Sequence, residues 1–549
     1  MTHFGFFLRR AAAAALFVFA ASCAHAPEDA GAKRFVVAAA HPLAVDAGYA
    51  VLKRGGTALD AAIAVQMVLG LVEPESSGVG GGAFLLYWSE KERSLRSYDG
   101  RETAPAAARG DRFLDKEGKP LDFFEAVVGG RSVGVPGVLR MLELAHRRHG
   151  RLAWRELFES GVVAAEEGFR MSPQLHEQLQ RERFLRQDPT ARKIFYQADG
   201  TARPVGARII NADYGATLRT IAAAGADAFY QGAIAQDIVQ AVRSNAKAGD
   251  LTLEDLAAYR ALEREPLCGP YRQWRVCSMA PPSSGGVAVL QILGILERVH
   301  FERAPPHSAL AVHLFSEAGR LAYADRARYL ADPDFVAVPT RRLLDGSYLD
   351  TRAKLVGQRS MRLAMPGDTE APGTSHLTIV DAEGNVASMT TTIESTFGSR
   401  VMVRGFLLNN ELTDFDFSPG SANEIAARKR PRSSMAPTIV FSPNGEVRLA
   451  VGSPGGPNII NYVAKALVGV LDWGLDAQAA VSLPNFGSRN GPTLLERGSG
   501  YESLKSALEE RGHVVQLNSL TSGLHAVERV QGGWRGAADP RREGGVRGD

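Results

Sequence analysis

The chain has only three cysteines among its 549 residues, so it can hold at most one intramolecular disulfide. It also has almost no net charge. Its 63 basic and 60 acidic side chains leave +3, which gives no reason to expect nucleic acid or an acidic membrane surface as a partner. Its 12 histidines include neither an HExxH motif nor a clustered ligand set, so we expect no metal and no other cofactor. With 45% hydrophobic residues, the chain is long enough for a large core or two domains.

Long apolar runs are absent beyond the N-terminus, where residues 1–26 predict a secretory signal. Arg9-Arg10 precedes the apolar run Ala11–Ala21, which is too short to span a bilayer as a permanent helix. Two endings stay open. An A-x-A cleavage site that ends at Ala26 would release a soluble periplasmic protein, whereas the residues up to Cys23 resemble a bacterial lipobox and would give a lipid-anchored one. The position of Cys23 at the end of the apolar run favours the lipoprotein.

The other two cysteines, Cys268 and Cys277, lie in a segment whose pattern predicts a hairpin. If the turn centres on Arg272-Gln273, the two side chains face each other across the strands. An oxidising compartment would then permit a disulfide. The alternative is that they are two unrelated small apolar residues.

The first hundred residues predict alternating strands and helices. Phe35–Ala40 predicts a buried strand, and Leu43–Leu71 predicts two helical stretches that are broken at Gly55-Gly56. Ser77–Phe84 contains the pattern GxGxxA, which is typical of dinucleotide-binding loops. However, this segment follows a helix and leads into a strand, the reverse of the order that such a loop requires, so we reject a dinucleotide site.

The chain is organised around Ala371–Asp416, in which the junction Gly373-Thr374 precedes the alternating segment His376–Val380. The alternation predicts a half-buried strand, and a second alternating strand, Val386–Ile393, follows a polar turn. A Gly-Thr junction at the start of a strand suits self-cleavage by an N-terminal nucleophile. The Thr374 hydroxyl would attack the Gly373 carbonyl, and the released α-amine, with a pKa near 8, would then serve as the general base.

Several segments of this region resemble the γ-glutamyltranspeptidase (glutathione hydrolase) family. They occur in the family's order and near its spacings, and the resemblance extends over roughly residues 35–540. The matching segments are Thr374–His376, Thr392–Gly398, Leu408–Glu411 with Asp414-Phe415, Pro431–Met435 and Gly452–Gly456. A further family match, Ala322–Arg326, we interpret as helix-end packing, and Pro281–Gly286 predicts the start of another helix.

The resemblance implies an α/β (α+β) protein with the four-layer α/β/β/α sandwich of N-terminal nucleophile hydrolases. Self-cleavage would yield a large subunit, residues 27–373, and a small subunit, residues 374–549, intertwined in one globule. Thr374 would take the γ-glutamyl group from glutathione or another γ-glutamyl compound as an ester. Water or the amine of an amino acid or peptide would then accept that group.

The resemblance also implies a role for each residue of the site. In the family the arginine that matches Arg101 binds the α-carboxylate of the γ-glutamyl group, a role that the planar fork of its guanidinium suits. We expect two serine hydroxyls to assist it, two carboxylates to bind the α-ammonium, two glycine N–H groups to stabilise the oxyanion, and a second threonine to orient the nucleophile. These residues are Ser433 and Ser434, Glu411 and Asp414, Gly455 and Gly456, and Thr392.

Two departures from the family pattern affect the expected specificity. Glu394 stands where the family usually has Asn in contact with the α-ammonium, and Arg432 replaces an apolar residue before the serine pair. The segment between Phe415 and Lys429 is also shorter than in members with a lid, so the balance between hydrolysis and transfer stays open. The alternatives are a related acylase for glutaryl-cephalosporin side chains, which retention of both acidic ligands disfavours, and an unprocessed, non-catalytic envelope binding protein.

Overall fold

The structure is a computed structural model that describes residues 31–361 and 372–549. The predicted signal, with Cys23, and residues 362–371, which precede the junction Gly373-Thr374, lie outside the described residues. Within the described ranges, no helix is both long enough and apolar enough to cross a membrane.

Two antiparallel sheets form the centre of the fold, and three small sheets lie outside them. The first sheet has the strand order β20-β1-β9-β10-β2-β3-β6, and the second has the order β19-β18-β14-β13-β8-β7. The strands of the described residues are β1 Val36–Ala39, β2 Gly82–Ser89, β3 Ser94–Gly100, β4 Phe169–Arg170, β5 Arg208–Ile209, β6 Leu262–Arg264, β7 Leu267–Tyr271, β8 Trp274–Ser278, β9 Pro372–Val380, β10 Val386–Ser395, β11 Met402–Val403, β12 Phe406–Leu407, β13 Thr438–Phe441, β14 Val447–Gly452, β15 Phe486–Ser488, β16 Thr493–Glu496, β17 Val515–Asn518, β18 His525–Val530, β19 Gly533–Ala538 and β20 Gly545–Gly548.

Helices cover the outer face of each large sheet. They are α1 Pro42–Lys53, α2 Ala58–Val72, α3 Phe123–Val127, α4 Val138–His149, α5 Glu159–Glu167, α6 Pro173–Arg181, α7 Pro189–Phe195, α8 Ala212–Ala224, α9 Asp227–Tyr230, α10 Ala233–Arg243, α11 Leu253–Ala258, α12 Gly285–Arg298, α13 Ala309–Tyr329, α14 Thr340–Leu343, α15 Gly346–Ala353, α16 Ile459–Leu471, α17 Ala477–Ser482 and α18 Lys505–Glu510.

Three buried apolar clusters define four layers. Side chains of α1, α2, α4 and α5 pack on one face of the first sheet, where Leu377 and Ile379 of β9 are buried. Side chains of α12, α13 and α16 pack in the same way on the second sheet. Between the sheets, Val380 packs with Ile439 and Val527. The order helix, sheet, sheet, helix confirms the predicted α/β/β/α sandwich.

Strands from both sides of Gly373 pair within each large sheet. In the first sheet β1 lies between β9 and β20, and in the second β8 pairs with β13. The segments before and after this glycine therefore share both sheets and their cores, so a break in the chain here would leave most contacts in place.

Local sequence signals placed several elements correctly. The predicted helix break at Gly55-Gly56 separates α1 from α2, and α2 begins with a capping box between Thr57 and Asp60. The predicted hairpin forms β7 and β8, in which Cys268 lies directly opposite Cys277, and the structure joins their sulfur atoms in a disulfide.

Candidate active site

The site is built on the first residues of β9 and their partners on β10. Thr374 pairs with Thr392 across the strands, and the register then shifts, so that Glu394 lies opposite Gly373. The two threonine Oγ1 atoms are 3.2 Å apart, and both side chains are buried.

The direction of each hydrogen bond follows from the number of protons available. Thr392 has one hydroxyl proton, which it donates to the Gly373 carbonyl oxygen over 2.7 Å. The Thr374 hydroxyl must therefore donate to Thr392 Oγ1, which also accepts the Glu394 backbone N–H at 2.8 Å. The result is a proton relay from the predicted nucleophile to the carbonyl that it would attack.

Glu394 occupies this β-bulge with a left-handed backbone, at φ 78°. A non-glycine residue in this conformation is strained, and bulges often redirect a side chain into a functional site. Its carboxylate accepts hydrogen bonds from the Asn410 side-chain amide and, at 3.4 Å, from the Thr413 hydroxyl. The bulge thus places Glu394 beside the predicted ammonium ligands.

A small cavity brings nearly all of the predicted site residues together. Its volume is about 30 Å³, which is room for a water molecule but far below the roughly 300–1,000 Å³ of ligand pockets. The cavity must therefore widen before a substrate can bind. Of the ten predicted catalytic and binding residues, all but Gly455 line it: Arg101, Thr374, Thr392, Glu394, Glu411, Asp414, Ser433, Ser434 and Gly456.

Arg101 differs from the expectation in one respect, because its guanidinium already has protein partners. Nη1 donates to Glu411, and Nη2 donates to Asp414. Nε donates to the Pro431 carbonyl at 3.1 Å, and Nη2 also donates to the Arg432 carbonyl at 3.0 Å. A bidentate grip on a substrate carboxylate is not available in this arrangement, and one of these partners would have to give way for it to form.

Glu102 is a buried acid beside this ion-pair network that the sequence analysis did not single out. Burial raises its pKa well above the usual range, and the negative charge of neighbouring Glu411 adds to this shift, whereas Arg101, whose Nη1 lies 3.9 Å away, opposes it. Burial also raises the pKa of Glu411 to about 7, although Arg101 opposes this shift. Glu411, one of the predicted ammonium ligands, is therefore partly protonated near neutral pH.

The serine pair is contacted on its far side from the cavity by Arg326 of α13, which also binds Ser284, the residue that precedes α12. Arg326 Nη2 donates to Ser434 Oγ at 2.8 Å, and Arg326 Nε donates to Ser284 Oγ at the same distance. Ser433 Oγ accepts the Met435 backbone N–H at 3.1 Å. Among the described residues, neither Ser433 nor Ser434 donates its hydroxyl proton to a protein acceptor.

Gly455 and Gly456 follow β14 in a tight turn with left-handed backbone angles, φ 137° and 53°. A Cβ atom at Gly455 would come within 2.6 Å of the Tyr462 ring, so the turn requires glycine there. Within the described part of the chain, neither N–H has a protein acceptor. Because Gly456 also lines the cavity, its N–H is placed to serve as an oxyanion donor.

The face of β9 opposite the nucleophile carries a second acidic group. Ser375 donates to Glu73 at 2.7 Å, and Arg542 donates to the Thr374 carbonyl at 3.4 Å. Burial raises the pKa of Glu73 to about 7 and that of Glu75 to about 8, and the negative charge of Glu73 contributes to the shift at Glu75.

Folding also forms one cluster with metal-binding side chains that no local sequence pattern shows. His313, Glu317 and His513 lie together in the interior. The rings of the two histidines hydrogen-bond to each other at 2.7 Å, and the Arg320 guanidinium lies 2.9 Å from Glu317. Because an arginine already occupies the carboxylate, we interpret the cluster as a structural hydrogen-bond network.

The interpretation of Ala322–Arg326 as packing was incomplete. Tyr323 donates its hydroxyl proton to the Pro457 carbonyl, next to the predicted oxyanion glycines, and Arg326 holds Ser434. The two residues are three apart on α13 and share a face. That spacing could have shown a shared face, but not which site the face supports.

The family model described as Gamma-glutamyltranspeptidase matches residues 44–548. The chain is 36% identical over 536 residues to the glutathione hydrolase proenzyme of Bacillus subtilis strain 168, covering 93% of this chain and 90% of that one.

Two solved structures are similar as well. The cephalosporin acylase from Bacillus halodurans superposes with a TM-score of 0.84 at 27% identity, covering 97% of this chain and 99% of that one. The gamma-glutamyltranspeptidase of Helicobacter pylori superposes with a TM-score of 0.53 at 34% identity, covering 58% of this chain and 90% of that one.

Proposed function

Because the chain belongs to the gamma-glutamyltranspeptidase family of N-terminal nucleophile hydrolases, we propose that it hydrolyses glutathione and related γ-glutamyl compounds and transfers their γ-glutamyl group to amines. The observation that carries the proposal is the set of contacts around Thr374. The same cavity is lined by the nucleophile, by the acidic ligands Glu411 and Asp414, and by two serine hydroxyls with free protons.

Self-cleavage is the first step that the proposal requires. The Thr374 oxygen attacks the Gly373 carbonyl carbon, its proton passes to Thr392, and the Thr392 proton passes to the carbonyl oxygen. The C–N bond then breaks, the nitrogen takes up a proton, and an ester remains. Water hydrolyses that ester into a large subunit that ends at Gly373 and a small subunit that begins with Thr374.

In turnover, the freed α-amine of Thr374 removes the hydroxyl proton as the oxygen attacks the γ-carbonyl. The Gly455 and Gly456 N–H groups stabilise the oxyanion, and the departing amine takes the proton. Water or an acceptor amine then releases the γ-glutamyl ester by the same route. Glu394, Glu411 and Asp414 bind the α-ammonium of the donor.

A second candidate is an acylase that removes glutaryl side chains, which the superposition on the cephalosporin acylase favours. A glutaryl group lacks the α-ammonium. Glu411 and Asp414, which already share the positive charge of Arg101, would then meet no ammonium group and would repel the glutaryl carboxylate. We therefore place γ-glutamyl donors first.

We also propose that the protein is exported to the periplasm. Support comes from the basic and apolar pattern of residues 1–26, and the motif that ends at Cys23 favours a lipid anchor. Globomycin treatment and mass spectrometry of the mature N-terminus would test this, because a lipoprotein carries its acyl groups on Cys23.

The test of function begins with a denaturing gel and N-terminal sequencing of the smaller band. We expect a fragment that begins Thr-Ser-His, and a Thr374→Ala protein that stays full-length. The processed protein is then assayed with L-γ-glutamyl-p-nitroanilide and glutaryl-p-nitroanilide. Preference for the first by at least about 100-fold would support the proposal. Preference for the second donor would establish the acylase. A wild-type chain that never cleaves would favour the third hypothesis, an unprocessed and non-catalytic binding protein.

A further inference from the structure

We propose that Arg326 is a positioning residue that prepares Ser433 and Ser434 to donate hydrogen bonds to the α-carboxylate of the donor. This inference rests on the proposed function. It assigns the family segment Ala322–Arg326 of α13 to the recognition of one feature of the substrate, the carboxylate.

The first observation is that Arg326 has no acidic partner within ion-pair distance among the described residues. Its neighbours are the hydroxyls of Ser434 and Ser284, each at 2.8 Å. Arg432 nearby pairs with Asp416 instead, at 3.1 Å. A half-buried guanidinium without a carboxylate partner is costly, and an anion that binds beside it recovers part of that cost.

The second observation is the direction of the hydroxyl groups. Because Arg326 can only donate, Ser434 Oγ accepts, and its own proton is left to point elsewhere. Ser433 Oγ is in the same state, because it accepts from the Met435 N–H. A carboxylate can only accept hydrogen bonds, so two hydroxyls held as donors match it.

Ser284 extends this arrangement to the second serine. It accepts from Arg326 Nε and donates its own proton to the Ser433 carbonyl at 2.5 Å. One guanidinium, that of Arg326, therefore contacts the Ser434 side chain directly and is linked through Ser284 to the backbone of Ser433. The segment that begins α12 has a role in the site and not only in starting a helix.

The third observation concerns Arg101, whose donors are used by Glu411, Asp414 and two carbonyls. Its charge is balanced by the ammonium ligands. The charge of Arg326 is not balanced in this way. Arg326 therefore contributes positive potential at the serine pair, although its side chain does not line the cavity and acts through Ser434.

The experiment uses the self-processed enzyme and two anilide donors that differ only in the carboxylate, L-γ-glutamyl-p-nitroanilide and 4-aminobutyryl-p-nitroanilide. We expect Arg326→Met to raise KM for the first about 10- to 100-fold, with kcat changed by less than about threefold. Neither constant should change for the second donor. Arg326→Lys keeps the charge and should recover part of the loss. Arg328→Met, on the exposed side of the same helix, is the matched control.

A double-mutant cycle separates positioning from general damage. If Arg326 acts through Ser434, Arg326→Met should add less than about twofold to the KM of Ser434→Ala. Additive effects, or an equal loss with both donors, would overturn the inference. A wild-type enzyme that uses neither donor would instead refute the proposed function.

Should Arg326→Met fail to mature, Ser284→Ala takes its place, because it removes the hydroxyl that links Arg326 Nε to the Ser433 carbonyl and leaves the backbone bond from the Ser284 N–H to that carbonyl in place. We then expect a loss of about threefold or more that is confined to the carboxylate-bearing donor. An unchanged KM for that donor would overturn the inference.

Discussion

The hydroxyl of Thr392 donates its proton to the carbonyl oxygen of Gly373, over 2.7 Å, in the uncleaved chain. This contact polarises the carbonyl that Thr374 would attack, so we expect Thr392 to assist cleavage as well as to orient the predicted nucleophile. It also explains why the two threonines must stand opposite each other on β9 and β10.

Thr392→Val should slow self-cleavage by at least about 100-fold, because the carbonyl loses its donor and the Thr374 proton loses its acceptor. The fraction of cleaved chain, followed over time on a gel, measures the effect. Thr392→Ser should restore most of the rate. Thr391→Val is the matched control, since Thr391 lies next along the strand and contacts Gly82 instead. Equal slowing by both valine variants would point to strand damage.

Gly373→Ala should also impair cleavage, for a steric reason. A Cβ atom at this position would come within 2.6 Å of the Glu75 carbonyl oxygen and 2.7 Å of the Ser395 backbone. Because backbone atoms cannot move aside cheaply, the scissile carbonyl shifts out of line with Thr374, and we expect at least about a tenfold slower cleavage. Gly357→Ala, which meets nothing within 4 Å, should cleave at the wild-type rate.

Glu394→Gln should distinguish donors by their α-amine. Loss of the negative charge should raise KM for the γ-glutamyl anilide about 3- to 10-fold and lower it for the glutaryl anilide, whose carboxylate Glu394 repels. Steady-state kinetics with both donors measure this. The exposed Glu383→Gln should leave both constants unchanged, and a parallel change with both donors would exclude a role for Glu394 in amine selection.

Glu75 should make the folded protein less stable in alkali. Its pKa rises from 4.5 to about 8 on folding, chiefly because of burial. Between these pH values the folded state binds more protons than the unfolded state, so stability falls as pH rises. Glu75→Gln should therefore raise the melting temperature by about 2–4 °C or more at pH 9 and leave it unchanged near pH 4.

Scanning calorimetry of the processed enzyme at both pH values, with the surface variant Glu510→Gln as the control, tests this expectation. A stabilisation by Glu75→Gln that is equal at pH 4 and pH 9 would show that charge is not its cause.

Much of the candidate site could be predicted from sequence because its main parts are local. The hairpin of β9 and β10 follows from alternation, and it alone brings Thr374 opposite Thr392. Glu411 and Asp414 fall on one short helical turn, so they were expected to act together. The disulfide partners also follow from a local turn.

The remaining features required contacts between distant segments. Arg101 and Glu411 are 310 residues apart. No periodicity in the sequence indicates that this arginine pairs with the predicted ammonium ligands instead of keeping its donors free for the carboxylate of a substrate. Arg326 and Ser434 are separated by 108 residues. The pKa shifts of Glu102 and Glu75 depend on burial, which only the packed interior determines.

The sequence by itself determined the family and the layered fold, and it predicted the nucleophile and the cleavage junction, because all of these depend on residue types in short segments and on their order. The tertiary structure decided the direction of the hydrogen bonds and the pairing of the charges. Each donor and acceptor pairs with neighbours that come together only when the two sheets stack and the helices cover them. The sequence thus predicted the nucleophile, whereas the packed site shows which neighbours hold the predicted site residues in place.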